Sequence, residues 1–477
     1  MSKVISKVFS GLLLVLVVCL SLPGQASMEQ VSLEVSFQDE QLEQAIKQIL
    51  QKNENEAVMQ KDMESLTVVD LSNRKIKSLH GLQYASNLTH LDLSNNEIND
   101  IEPLKSLTKI RGLDISRNQI VSIEALSSMT DMGSLQVNSN KIASIEVVKR
   151  FPRLHTFEVN DNQISSIQAL STATQITWLK MNGNQIENIG PLSKLIKLKN
   201  LDLTNNRITD LSSLKPLSKS MMNLNIGSNR ISDIGALEGM TLMRSLYAEN
   251  NQIKELGSLK KLTNLDTLNL TSNLIYNLEP LKPLLQIRNL YLSDNRVWNL
   301  EPIRNHKFNT QYDTGAIIYG LQLNDNYLDL GNTTKTYQLL NKLSGEGYPI
   351  NQLKAQRLVI GSTTAYVGES AFKLSTAPFI SSSRTYVPIR FVSERLGSEV
   401  SWNQSKKEVT IHKDNKTIRW VVNEKKAIVN GQTVSFDTPL LLKKGSTFVP
   451  VRFVSELLES TVEYMANPQT VIIFEKK

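Results

Sequence analysis

The sequence predicts an α/β repeat solenoid, built from short strands with 3₁₀ or extended return arms, followed by a small duplicated α+β domain. Three observations carry this. An L-x-L-x-x-N-x-I pattern recurs about every 22 residues between residues 66 and 330. A second duplication, with a period of 62 residues, follows residue 355. The composition, 40% hydrophobic and 21% charged over 477 residues with one cysteine, is that of a globular chain, neither disordered nor disulfide-stapled.

At the N-terminus, Lys3 and Lys7 precede an apolar run from Val8 to Leu20, with Pro23, Gly24 and Ala26 after it. Residues 1–26 therefore read as a secretory signal cleaved after Ala26. The run is too short to span a bilayer, and no later stretch approaches the roughly 20 apolar residues that a spanning helix needs. Cys19 lies within the run, but Val18 before it is bulkier than the residue that precedes a lipid-attached cysteine, so Cys19 reads as discarded with the signal. A mature chain without cysteine must be held by packing alone.

Residues 27–65 predict a helical cap. The segment 37–46 reads as an amphipathic helix with Leu42, Ile46 and Ile49 on one face, and Ser36 with Asp39 as its capping pair. Residues 66–330 hold about 12 repeats. Their asparagines fall at Asn96, Asn118, Asn140, Asn162, Asn184, Asn206, Asn229, Asn251, Asn273, Asn295 and Asn326. Two aliphatics flanking one polar residue, as in Leu91-Asp92-Leu93, put both apolar side chains on one side of a short strand. A single turn cannot bury that face, so turns must stack. The asparagine has the donors and acceptor to satisfy backbone groups where the chain bends away. Pro103, Pro191, Pro280 and Pro302 share one phase of the repeat, which favours 3₁₀ or extended arms over α-helices. In the first copy Arg74 stands where later copies have asparagine.

These residues resemble bacterial leucine-rich repeats of the short, internalin-like class. The resemblance implies a horseshoe-shaped solenoid with a helical N-terminal cap and a role in binding. Residues 331–352, with Tyr337, Leu339, Leu340 and Leu343 before Gly345 and Gly347, read as a closing helix and linker.

Within residues 353–477, Thr385-Tyr386-Val387-Pro388-Ile389-Arg390-Phe391-Val392-Ser393-Glu394 repeats as Thr447-Phe448-Val449-Pro450-Val451-Arg452-Phe453-Val454-Ser455-Glu456. Trp402 matches Tyr464, Val409 matches Val471 and Ile411 matches Ile473. This unit resembles the stalk-like domain named for the N-terminal region of copper amine oxidases. Copper chemistry of that kind needs a cluster of imidazoles, and only His412 lies in the segment, so no copper is expected. The pairs Arg390 with Glu394 and Arg452 with Glu456 sit one helical turn apart and read as structural.

No catalytic residue, metal site or cofactor is expected. The five histidines, His80, His90, His155, His306 and His412, lack zinc-like spacing, and no nucleophile elbow or phosphate loop is present. The informative surface is the concave face, where the middle residue of each L-x-L points to solvent: Asp70, Asp92, Asp114, Gln136, Glu158, Lys180, Asp202, Asn225, Tyr247, Asn269 and Tyr291. Trp178 joins it two residues before Lys180. Carboxylates dominate its first half and aromatics its second. From these, Asp92, Asp114, Glu158, Trp178, Lys180, Asp202, Tyr247 and Tyr291 are the candidate ligand-binding residues. They suit a cationic or extended peptide-like partner anchored on the aromatics. Acid–base work by Asp92 with Asp114 would need burial to drive two pKa values apart, and the sequence offers no cover for them.

The expected function is thus a secreted or envelope binding protein that recognises a protein, peptide or glycan, with the C-terminal domain as spacer or wall-associating module. An envelope enzyme working through the oxidase-named domain and an intracellular scaffold are the competing classes. The chain's net charge of +7 is unevenly placed, for residues 353–477 hold 18 Lys or Arg against 11 Asp or Glu. That asymmetry suggests contact of the basic domain with anionic wall polymers rather than with nucleic acid. No wall-sorting motif is recognised, and the tail from Val471 to Phe474 reads as a strand.

Overall fold

The computed structural model describes residues 33–309, 312–313, 316–317, 320–344, 352–466 and 468–476. The expected signal at 1–26, its cleavage site, and Gly345 and Gly347 of the closing segment lie outside the described residues. Twelve short strands, from Val68–Asp70 to Leu321–Gln322, stack in chain order into one parallel sheet. The register repeats the sequence period, so Leu91 lies beside Leu113 and Asp92 beside Asp114. Each strand turns its central aliphatic inward, and these form one continuous core with the arms, in which Leu93, Ile98, Leu104 and Leu107 are all fully buried. The chain returns through short 3₁₀ turns, from Leu82–Tyr84 to Glu301–Ile303. Pro103, Pro191, Pro280 and Pro302 each occupy the second residue of such a turn, where a missing N–H leaves no partner unsatisfied.

The asparagines form a ladder that ties each turn to the one before. Asn118 Oδ1 accepts from the Ile98 N–H at 3.0 Å, and its Nδ2 donates to the carbonyls of Leu93 at 3.0 Å and Ile115 at 3.1 Å. The pattern runs from Asn96 to Asn326. The residue before each asparagine takes the left-handed region, as in Asn95 (φ 55°), Arg117 (φ 56°) and Asp325 (φ 56°), which swings the chain out of the strand. Arg74 needs no ladder side chain of its own, because its backbone N–H is held by Asn96 Oδ1 at 3.0 Å.

The solenoid begins under a cap of two helices, α1 (Glu40–Ile49) and α2 (Gln60–Glu64). Leu42 and Ile46 are fully buried against the first turn. The N-cap is Asp39 rather than Ser36. The Asp39 carboxylate accepts from the Leu42 N–H at 3.0 Å and also from Lys77 N–H at 2.7 Å, so one side chain starts the helix and fastens it to the solenoid. At the far end His306 occupies a leucine position of the repeat, stacked 5.7 Å from Phe308. Burial pushes its imidazole pKa down, as befits a core residue.

In the C-terminal domain the two motif strands, Arg384–Pro388 and Ser446–Pro450, pair antiparallel with Val387 beside Val449. Pro388 and Pro450 then cap the helices α4 (Ile389–Glu394) and α5 (Val451–Leu457). Between the helices and sheets, Trp420 stacks 4.7 Å from Phe436 and 5.1 Å from Phe453.

This domain packs directly on the last turns of the solenoid. In the second copy Val471 and Ile473 enter the domain's own core, while the alternate residues Ile472 and Phe474 face Tyr276 and Tyr327 of the repeats. Glu463, 5% exposed, is gripped by Arg296 at 3.1 Å and by Lys254. Arg357 lies between Trp298 and Tyr366, 4.4 and 4.8 Å from their ring centres. Burial pushes the Tyr276 hydroxyl up to about 12, with the charges of Glu255 and Glu463 adding to it. Helix α3 (Lys335–Ser344) closes the seam. Its first N–H groups, those of Lys335 and Thr336, donate to Glu369 at 2.7 and 2.8 Å. Gly368 beside it has φ +59°, and a Cβ there would meet Asp329 Oδ2 at 2.3 Å, so only glycine fits.

Candidate functional site

All eight candidate residues lie on the solvent-facing side of the solenoid sheet, and their neighbours differ along its length. Asp70, Asp92 and Asp114 are adjacent in register and form an acidic ladder. With strands about 4.8 Å apart, unscreened neighbours repel by roughly 0.8 kcal/mol per pair in water. Each carboxylate turns one oxygen back to the backbone N–H two residues on, Ser72, Ser94 and Ser116 respectively, all at 2.8 Å. Those bonds hold Asp70 below the usual carboxylate range.

Asp114 goes the other way. Burial pushes its carboxyl up, and the charges of Asp92 and Glu158 push in the same direction. The expectation that nothing covers this part of the stripe is therefore corrected: the ladder itself and the neighbouring strands cover Asp114. Because its folded-state pKa is raised, the ionised carboxylate weakens the fold at neutral pH, and the penalty fades as the pH falls toward the ordinary value of 3.8. Asp114→Asn keeps the acceptor for Ser116 and removes the charge. It is expected to raise the melting temperature at pH 7 and to give no gain near pH 4, as followed by circular dichroism. Among the described residues no group of three or more His, Cys, Asp or Glu is placed to hold a metal ion.

Farther along, Glu158 accepts from Trp178 Nε1 at 3.1 Å and pairs with Lys180 at 3.3 Å, while the Lys180 ammonium lies 5.1 Å from the Trp178 ring centre. Three candidate side chains are thus locked together, with Trp178 still 37% exposed. This fixes the indole at little entropic cost to a later contact. Asp202 accepts from the backbone and hydroxyl of Thr204 at 3.0 and 2.6 Å and from Asn182 at 3.3 Å. Tyr247 and Tyr291 flank Asn269 in register, two strands apart. Tyr247 is 37% exposed, and Tyr291 is half-buried, its hydroxyl pKa raised by burial and by Tyr247.

The sequence reading missed Glu249, two residues beyond Tyr247. Its carboxylate lies where a Cβ on Gly227 would be, 2.5 Å away, and its Oε2 is buried with no hydrogen-bond partner among the described residues. Strand alternation alone places it on the same face as Tyr247. The reading stopped at the middle residue of each L-x-L and so passed over it. His90 also faces this side, near the edge.

The stacked sheet, the 3₁₀ arms and the asparagine ladder define a leucine-rich repeat solenoid, a class of scaffold whose long curved face serves protein binding. Leucine-rich repeat models match residues 86–128, 174–216 and 196–253, and the copper amine oxidase N-terminal domain matches residues 354–406 and 366–473. An internalin, InlF of Listeria monocytogenes, is similar in structure over 67% of this chain and 98% of its own, at 26% identity and a TM-score of 0.56. Internalin C2 of the same organism is 29% identical over 45% of this chain and 94% of its own, with a TM-score of 0.43. Comparison with curated protein sequences gave no match. The chain is thus a leucine-rich repeat solenoid similar to internalins, with a C-terminal region that matches the copper amine oxidase N-terminal domain. Among the described residues no helix is long and apolar enough to cross a membrane.

Proposed function

We propose that this chain is a secreted, non-enzymatic binding protein of the bacterial envelope, which holds a protein or peptide partner on the exposed face of its solenoid sheet. The observation that carries the reading is the placement of Trp178, Tyr247 and Tyr291 on an otherwise polar surface, with the indole already fixed by Glu158 and Lys180. Aromatic anchors of this kind supply most of the energy of a recognition surface. The acidic ladder of Asp70, Asp92 and Asp114 suits basic side chains of the partner. The basic C-terminal domain, seated on the last turns, meets anionic wall polymers.

Capture from envelope extract tests the reading. The triple variant Trp178→Ala, Tyr247→Ala, Tyr291→Ala is expected to bind the partner recovered by the unaltered chain at least tenfold more weakly. Equal capture by both chains would overturn it.

A further inference from the structure

The first copy of the duplicated domain carries a groove of about 670 Å³, running between α4 and the strands Glu399–Asn403 and Ser446–Pro450. This is the size range of small-ligand sites. Its apolar side is formed by Phe391, Trp402 and Leu442, its polar rim by Lys373, Arg390, Gln404 and the carboxylate of Glu394, which lies 3.9 Å from Arg390. Across its mouth the hydroxyls of Ser375 and Ser446 meet at 2.6 Å.

The duplication supplies an internal comparison. The positions equivalent to Ser375 and Ser446, 62 residues away in either direction, hold Asp437 and Arg384, so each mouth joins one residue from each copy. There the guanidinium donates twice to Asp437 Oδ2, at 2.9 and 2.6 Å, and spans the equivalent mouth. The helical pairs differ only in distance. Arg452 makes a close contact with Glu456, whereas Arg390 approaches Glu394 to 3.9 Å, and both arginine side chains stay mostly exposed. One mouth is thus closed by an ion pair and the other only by a hydrogen bond between two neutral hydroxyls. The neutral bridge is the one whose partners a ligand's hydroxyls can replace.

We propose that the groove of the first copy binds an acidic saccharide. An indole edge and ring offer a flat apolar surface to the C–H face of a pyranose. Ser375 and Ser446, bonded to each other, and Gln404, whose Oε1 accepts from Trp402 Nε1 at 2.7 Å, carry further donors and acceptors for sugar hydroxyls. Lys373 and Arg390 provide charge-assisted bonds for a carboxylate or phosphate substituent. The excess of 18 basic over 11 acidic residues in residues 353–477 favours the same sign of ligand. The inference rests on the reading that this domain meets wall polymers and names the group it would grip.

The test is calorimetric titration of the whole chain with three probes: the disaccharide of N-acetylglucosamine and N-acetylmuramic acid, N-acetylglucosamine 6-phosphate, and neutral chitobiose. At least one acidic probe is expected to bind at a single site, at least tenfold tighter than chitobiose, and the probe that binds identifies carboxylate or phosphate as the substituent. The double variant Ser375→Asp, Ser446→Arg installs the bridge of the second copy. It is expected to weaken that binding at least tenfold without lowering the melting temperature, and Trp402→Ala to weaken it likewise. Failure of both acidic probes to bind, or equal binding by the double variant, would overturn the proposal. So would tighter binding of an acidic peptide such as a glutamate oligomer at the same site. Sedimentation with purified walls separates the two readings: loss of wall retention with saccharide titration intact contradicts the wall-associating role alone, and wall retention without any saccharide binding contradicts the groove alone.

Discussion

Asn162→Ala is expected to lower the unfolding free energy by about 3–6 kcal/mol, measured by urea denaturation. The side chain sits inside the solenoid, where its Oδ1 accepts from the Ile142 N–H at 2.9 Å and its Nδ2 donates to the carbonyls of Val137 at 3.0 Å and Asn160 at 2.9 Å. Alanine removes these bonds, and a longer one to the Val159 carbonyl at 3.4 Å, and strands backbone groups that water cannot reach without opening the turn. An unmade bond to a buried group costs roughly 1–3 kcal/mol, so the sum is large for a single polar side chain. The exposed neighbour Gln163 is the control. Its side chain carries no bond of the ladder, and Gln163→Ala should move stability by less than about 0.5 kcal/mol. Comparable losses from both would mean that the ladder is not what joins the turns.

Phe474→Ala should cost about 3–5 kcal/mol, the range for emptying a large aromatic site in a packed core. Phe474 is fully buried and meets Tyr327 edge-on, 4.8 Å between ring centres. Its counterpart in the first copy is His412, which is exposed, so His412→Ala should be nearly neutral. The contrast isolates the docking surface, because the two positions are equivalent within the duplicated unit. Small-angle scattering adds a second readout. The alanine variant at 474 should show a larger radius of gyration once the seam between solenoid and C-terminal domain is weakened. An unchanged radius and equal stability for both variants would contradict the packed seam.

Much of the fold was legible because its rules are local. The 22-residue period gives the register of the sheet, the phase of Leu91 and Leu93 gives the buried face, and proline phase gives the 3₁₀ arms. The choice of Asp39 over Ser36 as helix cap was not legible, since it depends on Lys77 in the first solenoid turn, which also binds that carboxylate. The packed seam left a readable trace that period matching alone passed over. Aligning Val409 with Val471 and Ile411 with Ile473 finds the duplicated core. The residues between them, Thr410 and His412 against Ile472 and Phe474, show that one copy has an apolar outer face as well. A strand apolar on both sides is buried on both sides. Tyr276 and Trp298 were the matching signal in the repeats, aromatic at a phase where earlier copies carry Asn99, Ala143 or Ser165.

The candidate face was legible in outline, since alternation assigns its side chains without further information. Its internal pairing was not. That Glu158 serves both Trp178 and Lys180 depends on side-chain directions across two strands, and the upward push on the Asp114 carboxyl depends on how deeply neighbouring strands cover it.

Hydrogen exchange on the complex with the captured partner tests the central claim most directly. Binding on the sheet face predicts slowed exchange across the strands from Trp178–Lys180 to Asn289–Tyr291, with the 3₁₀ arms and the C-terminal domain unchanged. Protection confined to the arms or to residues 353–477 would contradict it.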